Sequence, residues 1–293
     1  MAKTDVKIEK EAKKESQMMA VLKRLKKNKM AMFGLVILVV LVLMAIFAPW
    51  IARFPYEEMH VLDKHQSPNA TYWFGTDELG RDIFSRIVYG ARYSLSLGFM
   101  AVLVSNAIGI VIGAIAGYTG GRTDNIMMRL LDVFQAIPGM LLGVIISSVL
   151  GSGFVNTVMA MAIGNIPMSV RLLRGQVLSI RKQEYLEAAE AINCSKARII
   201  IRHVLPNSYA PLLVSATMGI GNTIMGAAAL SYIGLGIQPP TPEWGAMLTA
   251  AKSFFRDHPH EMLFPGLFIM LTVLSLNLFG DGLRDALDPK LKN

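Results

Sequence analysis

Residues 184–207, EYLEAAEAINCSKARIIIRHVLPN, contain two short helical patterns separated by a turn. In the first pattern, four apolar residues stand at i, i+3, i+4 and i+7, namely Tyr185, Ala188, Ala189 and Ile192. This spacing predicts a helix with one apolar face. The second pattern repeats the spacing over residues 197–204. The stretch therefore predicts a helical hairpin.

The turn between the two patterns has residue types that end one helix and start another. Asn193 is expected at positive φ, where it ends the first helix, and Ser195 is expected to cap the second. Pro206 is expected to end the second helix, because proline lacks a backbone N–H and clashes with the preceding turn. The alanines of the first helix let another protein approach its backbone closely, which favours a docking role.

The order Glu187-Ala188-Ala189, then a break at Asn193, then His203, Leu205, Pro206 and Asn207 resembles the EAA loop of permease subunits in bacterial binding-protein-dependent ABC importers. The resemblance implies a cytoplasmic loop whose first helix inserts into a groove on an ATPase subunit. Asn193 stands where the family usually has glycine, and asparagine tolerates positive φ well. The resemblance implies a set of coupling residues: Tyr185, Glu187, Ala188, Ala189 and Ile192 on the docking helix, Asn193 setting the hairpin angle, and His203, Pro206 and Asn207 fixing the return to the membrane. The alternative is a surface hairpin without a partner, and the full spacing favours the EAA loop.

Composition points to a membrane protein. The 293 residues are 53% hydrophobic and only 17% charged, below the ~25% charged residues of soluble domains. The net charge of +8 does not indicate a nucleic-acid partner, because the basic residues lie between long uncharged runs. The single cysteine, Cys194, excludes an internal disulfide.

Six uncharged or nearly uncharged segments predict an all-α polytopic protein with six transmembrane helices. They cover residues 30–52, 93–121, 125–150, 154–170, 209–236 and 262–280. Of the 29 Lys and Arg, ten lie in residues 1–32 and seven in residues 171–202. The positive-inside rule therefore places both termini and the hairpin in the cytoplasm.

This topology divides the chain into five parts. Residues 1–32 form a basic cytoplasmic tail with a membrane-surface helix, or a plain basic flank, and residues 33–52 form the first transmembrane helix. Residues 53–92 form an extracytoplasmic loop and a helix that leads into the core. Residues 93–281 form a five-helix core that includes the coupling loop, residues 179–207. Residues 282–293 form a cytoplasmic tail.

Two further features refine the fold. Gly109, Gly113 and Gly117 recur every four residues and predict a helix-packing face without side chains. Residues 74–95, FGTDELGRDIFSRIVYGARYSL, resemble the segment before the core in the C-type permease subunit of dipeptide, oligopeptide and nickel importers. The two resemblances together imply the permease fold of type I ABC importers.

Local patterns give three smaller expectations. Arg129 and Asp132 are expected to form a neutralised pair near the start of the third span. Pro138-Gly139 is expected to kink that span. Trp244, in the polar loop before the last span, is expected to be an anchor at the membrane interface.

Catalytic motifs are missing from the sequence. It has no G-x-x-x-x-G-K-[ST], H-E-x-x-H or G-x-S-x-G, so an enzyme is not expected, and ATP and Mg²⁺ are expected on partner subunits. Four histidines fall in the outer loops: His60, His65, His258 and His260. They are expected to be solvated rather than metal ligands, and no cofactor or metal is expected in this chain.

These features predict the permease subunit of an ATP-driven importer of dipeptides or oligopeptides in the bacterial inner membrane. The implied partners are a second permease subunit in a heterodimer, two ABC ATPases and an extracytoplasmic binding protein. Nickel or another small solute is the alternative cargo. An ion-coupled secondary transporter is disfavoured because the spans supply almost no ionisable residues at mid-membrane. A metal-handling or scaffolding role would rest on the outer histidines alone.

Overall fold

A computed structural model describes residues 17–287 of the chain, and within that range the protein is helical with no β-strand. Residues 1–16 and 288–293, which belong to the two predicted cytoplasmic tails, lie outside the described residues. The α-helices, in chain order, are α1 (Gln17–Lys27), α2 (Lys29–Ile46), α3 (Ala48–Ile51), α4 (Ile83–Thr119), α5 (Gly121–Gln135), α6 (Gly139–Leu150), α7 (Phe154–Ile180), α8 (Glu184–Ala191), α9 (Lys196–Ile199), α10 (Leu205–Tyr232), α11 (Trp244–Ala251) and α12 (His260–Leu287). Short 3₁₀ turns cover Val61–Asp63 and Lys252–Phe254, and a π-helical turn covers Ile200–Val204.

Four helical stretches in the described residues are long and apolar enough to cross a membrane: Lys29–Ile46, Ile83–Thr119, Lys196–Tyr232 and His260–Leu287. A fifth crossing is obtained if α5 and α6, which meet at an angle of 83°, together form one bent span. Helix α7 has 27 residues and is long enough to cross, but it is not among the stretches that meet the apolarity test. The all-α membrane architecture is therefore confirmed, and the count of six crossings stays a prediction.

Helix α4 packs along α7 through the three glycines predicted to form a packing face. A Cβ added at Gly109 would lie 2.5 Å from the Cβ of Ser169, and one at Gly113 would lie 2.8 Å from the carbonyl oxygen of Val170. Gly117 is equally close to Val177. The two backbones approach to a distance that leaves no room for a side chain, and van der Waals contact there stabilises the pair.

The helix predicted to lead into the second span runs into it without a break, because α4 is one continuous helix of 37 residues. Asp82 caps it, and its carboxylate accepts a hydrogen bond from the backbone N–H of Ser85 at 2.8 Å. Burial raises the pKa of the Asp82 carboxyl above its ordinary value.

The region around α5 and α6 differs from two expectations. The predicted kink at Pro138-Gly139 is a complete break, since α5 ends at Gln135 and α6 begins at Gly139. The proline ring clashes with the residue before it, which disfavours the helical conformation at that residue. The predicted pair of Arg129 with Asp132 is wrong. Asp132 instead pairs with Arg171 of α7, at 2.5 Å between Oδ1 and Nη2.

Helix α1, predicted to lie on the membrane surface, packs against the helical bundle. Leu25 is buried against Ala31 of α2 and Ala286 of α12. The start of α2 and the end of α12 therefore lie at the same end of the bundle.

Helix α11 lies in a segment predicted to be a polar loop. Trp244, its first residue, is fully buried, and its indole Nε1 donates a hydrogen bond to the carbonyl oxygen of Ile87 at 3.0 Å. The prediction that Trp244 anchors at a membrane interface is therefore wrong. The indole is drawn inward because α4 and α12 supply both an apolar slot and a backbone acceptor.

Candidate functional site

The hairpin has the turn geometry that its sequence predicts. Asn193 has φ of 60°, in the left-handed region that ends α8. The Oγ of Ser195 accepts a hydrogen bond from the backbone N–H of Arg198 at 3.4 Å, which caps α9. Cys194 between them is half-buried and packs against the adjoining core.

One face of the hairpin is buried against the ends of α4 and α7. Leu186 and Ile199 are almost fully buried there. They belong to a cluster that also contains Ala114, Tyr118, Leu173, Val177, Ile180, Ala189 and Val204. The hairpin is therefore a fixed extension of α4 and α7, because apolar contact holds it on both helices.

The opposite face of α8 is exposed and apolar. Tyr185 is 41% exposed, Ile192 is 76% exposed, and Ala188 between them is also exposed. These three residues, here called the outer face, stand at i, i+3 and i+7. Glu187 is exposed beside them.

Ala189 does not belong to the outer face, and this corrects its predicted place in the docking surface. It is only 8% exposed and lies on the buried side with Leu186. Apolar residues at i, i+3, i+4 and i+7 cover a wide arc of a short helix. The pattern therefore did not show which side of α8 is buried. Leu186 and Ile199, which carry most of the burial, were not identified from the sequence.

Polar contacts brace the hairpin at both arms. The phenol of Tyr118, at the end of α4, donates to Oε1 of Glu190 in α8 at 2.7 Å. On the return arm, the side-chain amide of Asn207 donates to the carbonyl oxygen of His203 at 2.7 Å and lies 3.5 Å from the hydroxyl of Tyr185. Asn207 therefore joins the return arm to α8.

Pro206 does not end the second helix, contrary to the prediction. Lys196–Tyr232 is one helical stretch, and Pro206 lies in the first turn of α10, directly after the π-helical turn Ile200–Val204. A π turn widens the backbone where the proline ring would otherwise clash and where its missing N–H leaves a carbonyl unpaired. His203 lies in this turn and is half-buried.

A cavity of about 740 Å³ lies among α4, α7, α10 and α12. Its lining includes several neutral polar residues: Ser105, Asn106, Asn165, Ser169, Ser215 and Asn222. Ser169 donates to Asn106 at 2.7 Å, and Asn165 donates to Thr223 at 3.0 Å. Arg284 of α12 is the charged residue among the described residues of the lining. Such a surface can hydrogen-bond uncharged amide groups.

The outer histidines are not separately solvated, and this corrects the sequence interpretation. His65 and His258 lie together with Glu261, whose carboxylate is 3% exposed. His260 is also buried, at 9% exposure. The spacing of these residues along the chain gave no sign of this grouping, because two distant loops bring them together.

Comparison with known proteins gives the family. Residues 109–293 match the family described as binding-protein-dependent transport system inner membrane component. Residues 16–68 match the N-terminal TM domain of oligopeptide transport permease C.

Two similar proteins cover most of this chain. It is 49% identical over 271 residues to the dipeptide transport system permease protein DppC of Alkalihalophilus pseudofirmus. It is 47% identical over 271 residues to the glutathione transport system permease protein GsiD of Escherichia coli O6:K15:H31. In both cases the match covers 92% of this chain and 89% of the relative.

A solved structure, the MetNI methionine ABC transporter in an inward-facing conformation, contains a chain with a similar fold. Its TM-score is 0.58 at 18% identity, and the match covers 69% of this chain and 97% of that chain. At this identity the likeness concerns the fold alone. Together with the two family matches and the two relatives, it shows that this multi-pass protein belongs to the family of binding-protein-dependent transport system inner membrane components, as a C-type ABC importer permease subunit.

Proposed function

We propose that this subunit forms one half of an inward pathway for peptides, in a heterodimer with a second permease subunit. Two observations support peptides as the cargo. The two relatives are named for dipeptide and glutathione transport, and the cavity presents neutral amides and hydroxyls suited to peptide groups. Membership of the family sets aside the ion-coupled alternative, and it places ATP hydrolysis in separate subunits.

The exposed outer face of α8 is the surface through which an ATPase subunit would bind and move this subunit. An apolar surface of Tyr185, Ala188 and Ile192 on a soluble hairpin would be costly to leave in water, so it suits a groove on an ATPase. Two ATPase subunits would each hold one such hairpin, one from each permease, and would carry the ATP and Mg²⁺. Both chain termini would then lie in the cytoplasm with the hairpin.

The contacts of the hairpin supply a route from ATPase to pathway. The buried face holds α8 on the ends of α4 and α7, and both of these helices line the cavity. Closure of the ATPases around ATP would therefore displace the helices that form the cavity wall. The displacement would alternate the side on which the pathway opens.

The docking proposal is tested with the substitution Ile192→Glu in the full importer. Ile192 is 76% exposed, so the substitution should leave insertion and folding intact. We expect co-purification of the ATPases, and substrate-stimulated ATP hydrolysis, to fall at least tenfold. The matched control is Ile201→Glu, at a position 67% exposed outside the outer face. Normal assembly and uptake by Ile192→Glu would overturn the docking role, as would an equal loss in the Ile201→Glu control.

The cargo is tested by reconstituting the complete importer in proteoliposomes and measuring uptake of labelled dipeptides, tripeptides and Ni²⁺. We expect ATP-dependent uptake of at least one peptide class, competed by unlabelled peptide. Uptake of Ni²⁺ without uptake of peptide would overturn the peptide proposal and establish the alternative cargo.

A further inference from the structure

A cluster of metal-ligating side chains lies at the end of the bundle opposite to the hairpin. The hairpin packs on the C-terminal end of α4, whereas the cluster joins the loop before α4 to the beginning of α12. With 37 residues, α4 separates these two ends by roughly 55 Å. The cluster therefore has no contact with the coupling machinery.

The cluster consists of His65, His258 and Glu261, and one potential donor atom from each lies within 4.8 Å of the other two. His65 Nδ1 lies 2.6 Å from Oε1 of Glu261. The imidazole rings of His65 and His258 are stacked, with centroids 4.4 Å apart and planes inclined by 10°. The three side chains thus lie together, and because the two rings are nearly parallel, one ring has to rotate before a nitrogen of each can point at the same ion.

The backbone and the surrounding side chains hold these groups in place. His65 has φ of 55°, a conformation that costs energy for a non-glycine residue and persists only when its surroundings determine it. Its ring also packs against Phe254, at 4.6 Å between centroids. The carboxylate of Glu261 is only 3% exposed. A buried carboxylate beside two imidazoles is an arrangement that a bound cation would stabilise.

The neighbouring charges leave this carboxylate available. Asp77, an acidic residue near the cluster, is engaged by Arg81 at 2.7 Å and Arg86 at 3.6 Å. Glu261 is paired with His65 instead, and imidazole nitrogen is a common ligand of transition metals.

We propose that His65, His258 and Glu261 form a binding site for a first-row transition-metal dication of the Zn²⁺ class. Two imidazole nitrogens and one carboxylate oxygen form a donor set that Zn²⁺ accepts, and a fourth position stays open to water. Bound at ~2.1 Å, tetrahedral ligands lie roughly 3.4 Å apart. His65 Nδ1 and Glu261 Oε1, 2.6 Å apart, would separate to about this distance, and donors up to 4.8 Å apart would approach to it; side-chain rotations provide shifts of this size.

The site would fasten the loop of residues 53–82 to the start of α12. These two segments are nearly 200 positions apart in the chain, with Glu261 and His65 separated by 196 residues. A metal bridge between them would restrict their relative motion at the end of the bundle that receives cargo from outside. This role is independent of the identity of the cargo.

The test uses the purified complete importer, stripped of metal by chelator and dialysed against Zn²⁺, with bound zinc counted per permease chain. We expect one Zn²⁺ per chain, removed by chelator, and a higher unfolding temperature when it is bound. His258→Gln and Glu261→Gln should each weaken Zn²⁺ binding at least tenfold. His60→Gln is the matched control, because His60 lies in the same loop and has a glutamate partner, Glu58 at 3.3 Å, but no third donor.

Gel filtration and far-UV circular dichroism establish that each variant is folded. Two ligand variants are used so that the test is still decisive if one of them fails to assemble. Absence of stoichiometric Zn²⁺ binding by the natural protein would overturn the site. Binding that both ligand variants retain, or that His60→Gln loses to the same degree, would also overturn it.

Discussion

Single residues decide which side of the docking helix is free. Leu186 and Ala189 face the core, whereas Tyr185, Ala188 and Ile192 face outward. A helix of eight residues has too few positions for its apolar pattern to specify one face. The choice is made by the buried cluster that Leu186 joins, which includes Val177 of the preceding helix and Tyr118, far away in the sequence. The cap residues Asn193 and Ser195 were predictable because their geometry depends on local chemistry alone.

Truncation of Leu186 is expected to destabilise the protein. Leu186→Ala should cost about 2–5 kcal/mol of unfolding free energy, because it opens a cavity beneath the hairpin. Ile192→Ala, on the exposed face, should cost less than about 0.5 kcal/mol. Thermal unfolding in detergent measures both. Equal effects of the two substitutions would contradict the assignment of the buried face.

Glu243 is a second residue whose role the sequence did not reveal. It is almost fully buried, and its two carboxylate oxygens accept hydrogen bonds from the backbone N–H groups of Gly245 and Ala246, both at 2.8 Å. The hydroxyls of Ser94 and Ser231 approach the same oxygens at 3.2 Å. One side chain thus caps α11 and ties it to α4 and α10.

Replacement of Glu243 by Ala should lower stability by about 1–3 kcal/mol, because it leaves buried backbone and hydroxyl donors without an acceptor. Gln, which keeps one acceptor oxygen, should recover part of the loss. The measurement is the unfolding temperature of the purified complex. A Glu243→Ala variant as stable as the natural protein would show that water replaces the carboxylate at no cost.

At the scale of elements, the glycine packing face of α4 is the feature that the sequence predicted best. A four-residue glycine repeat is sufficient to define a face on a long helix, as the contacts of Gly109, Gly113 and Gly117 show. The partner of that face could not be predicted, because any small-residue groove on another helix would fit it. The break between α5 and α6 was underestimated for a related reason: proline indicates a bend, but neighbouring helices set its size.

Gly113→Ala is expected to destabilise the pair of helices by about 1–3 kcal/mol, since the new methyl group would meet the backbone of Val170. Gly164→Ala is the control. Gly164 lies in α7 with no atom within 4 Å of an added Cβ, so the substitution should be neutral or slightly stabilising. Detergent unfolding of both variants checks the difference, and a neutral Gly113→Ala would mean that the two backbones can separate freely.

At the scale of the whole molecule, composition and charge distribution were enough to predict a helical membrane protein. They could not define its internal cavity, because residues such as Ser215 and Asn222 suit either a pathway or a packed interface. The arrangement of α4, α7, α10 and α12 is needed to show that Ser215 and Asn222 line the same cavity.

If the cavity is the peptide pathway, as we propose, Asn222→Leu should reduce peptide uptake at least tenfold while leaving subunit assembly intact, because it removes an amide from the cavity wall and adds an apolar side chain. Thr217→Leu is the control, since Thr217 is half-buried on the same helix and does not line the cavity. Uptake in proteoliposomes, normalised to the amount of assembled importer, measures the effect. Equal uptake by the Asn222→Leu variant and the natural protein would place the pathway elsewhere.

The unbroken stretch Lys196–Tyr232 has one further consequence. It begins in the hairpin and continues past the cavity, so an arm of the hairpin and part of the cavity lining belong to one continuous helix. No loop separates these two parts, so the helix cannot take up a movement of the hairpin by bending in a loop. A small tilt at the hairpin would therefore displace the far end of the helix by a larger distance. The π turn Ile200–Val204 is the irregular part of this stretch, so a change in its winding would change how the hairpin and α10 move together.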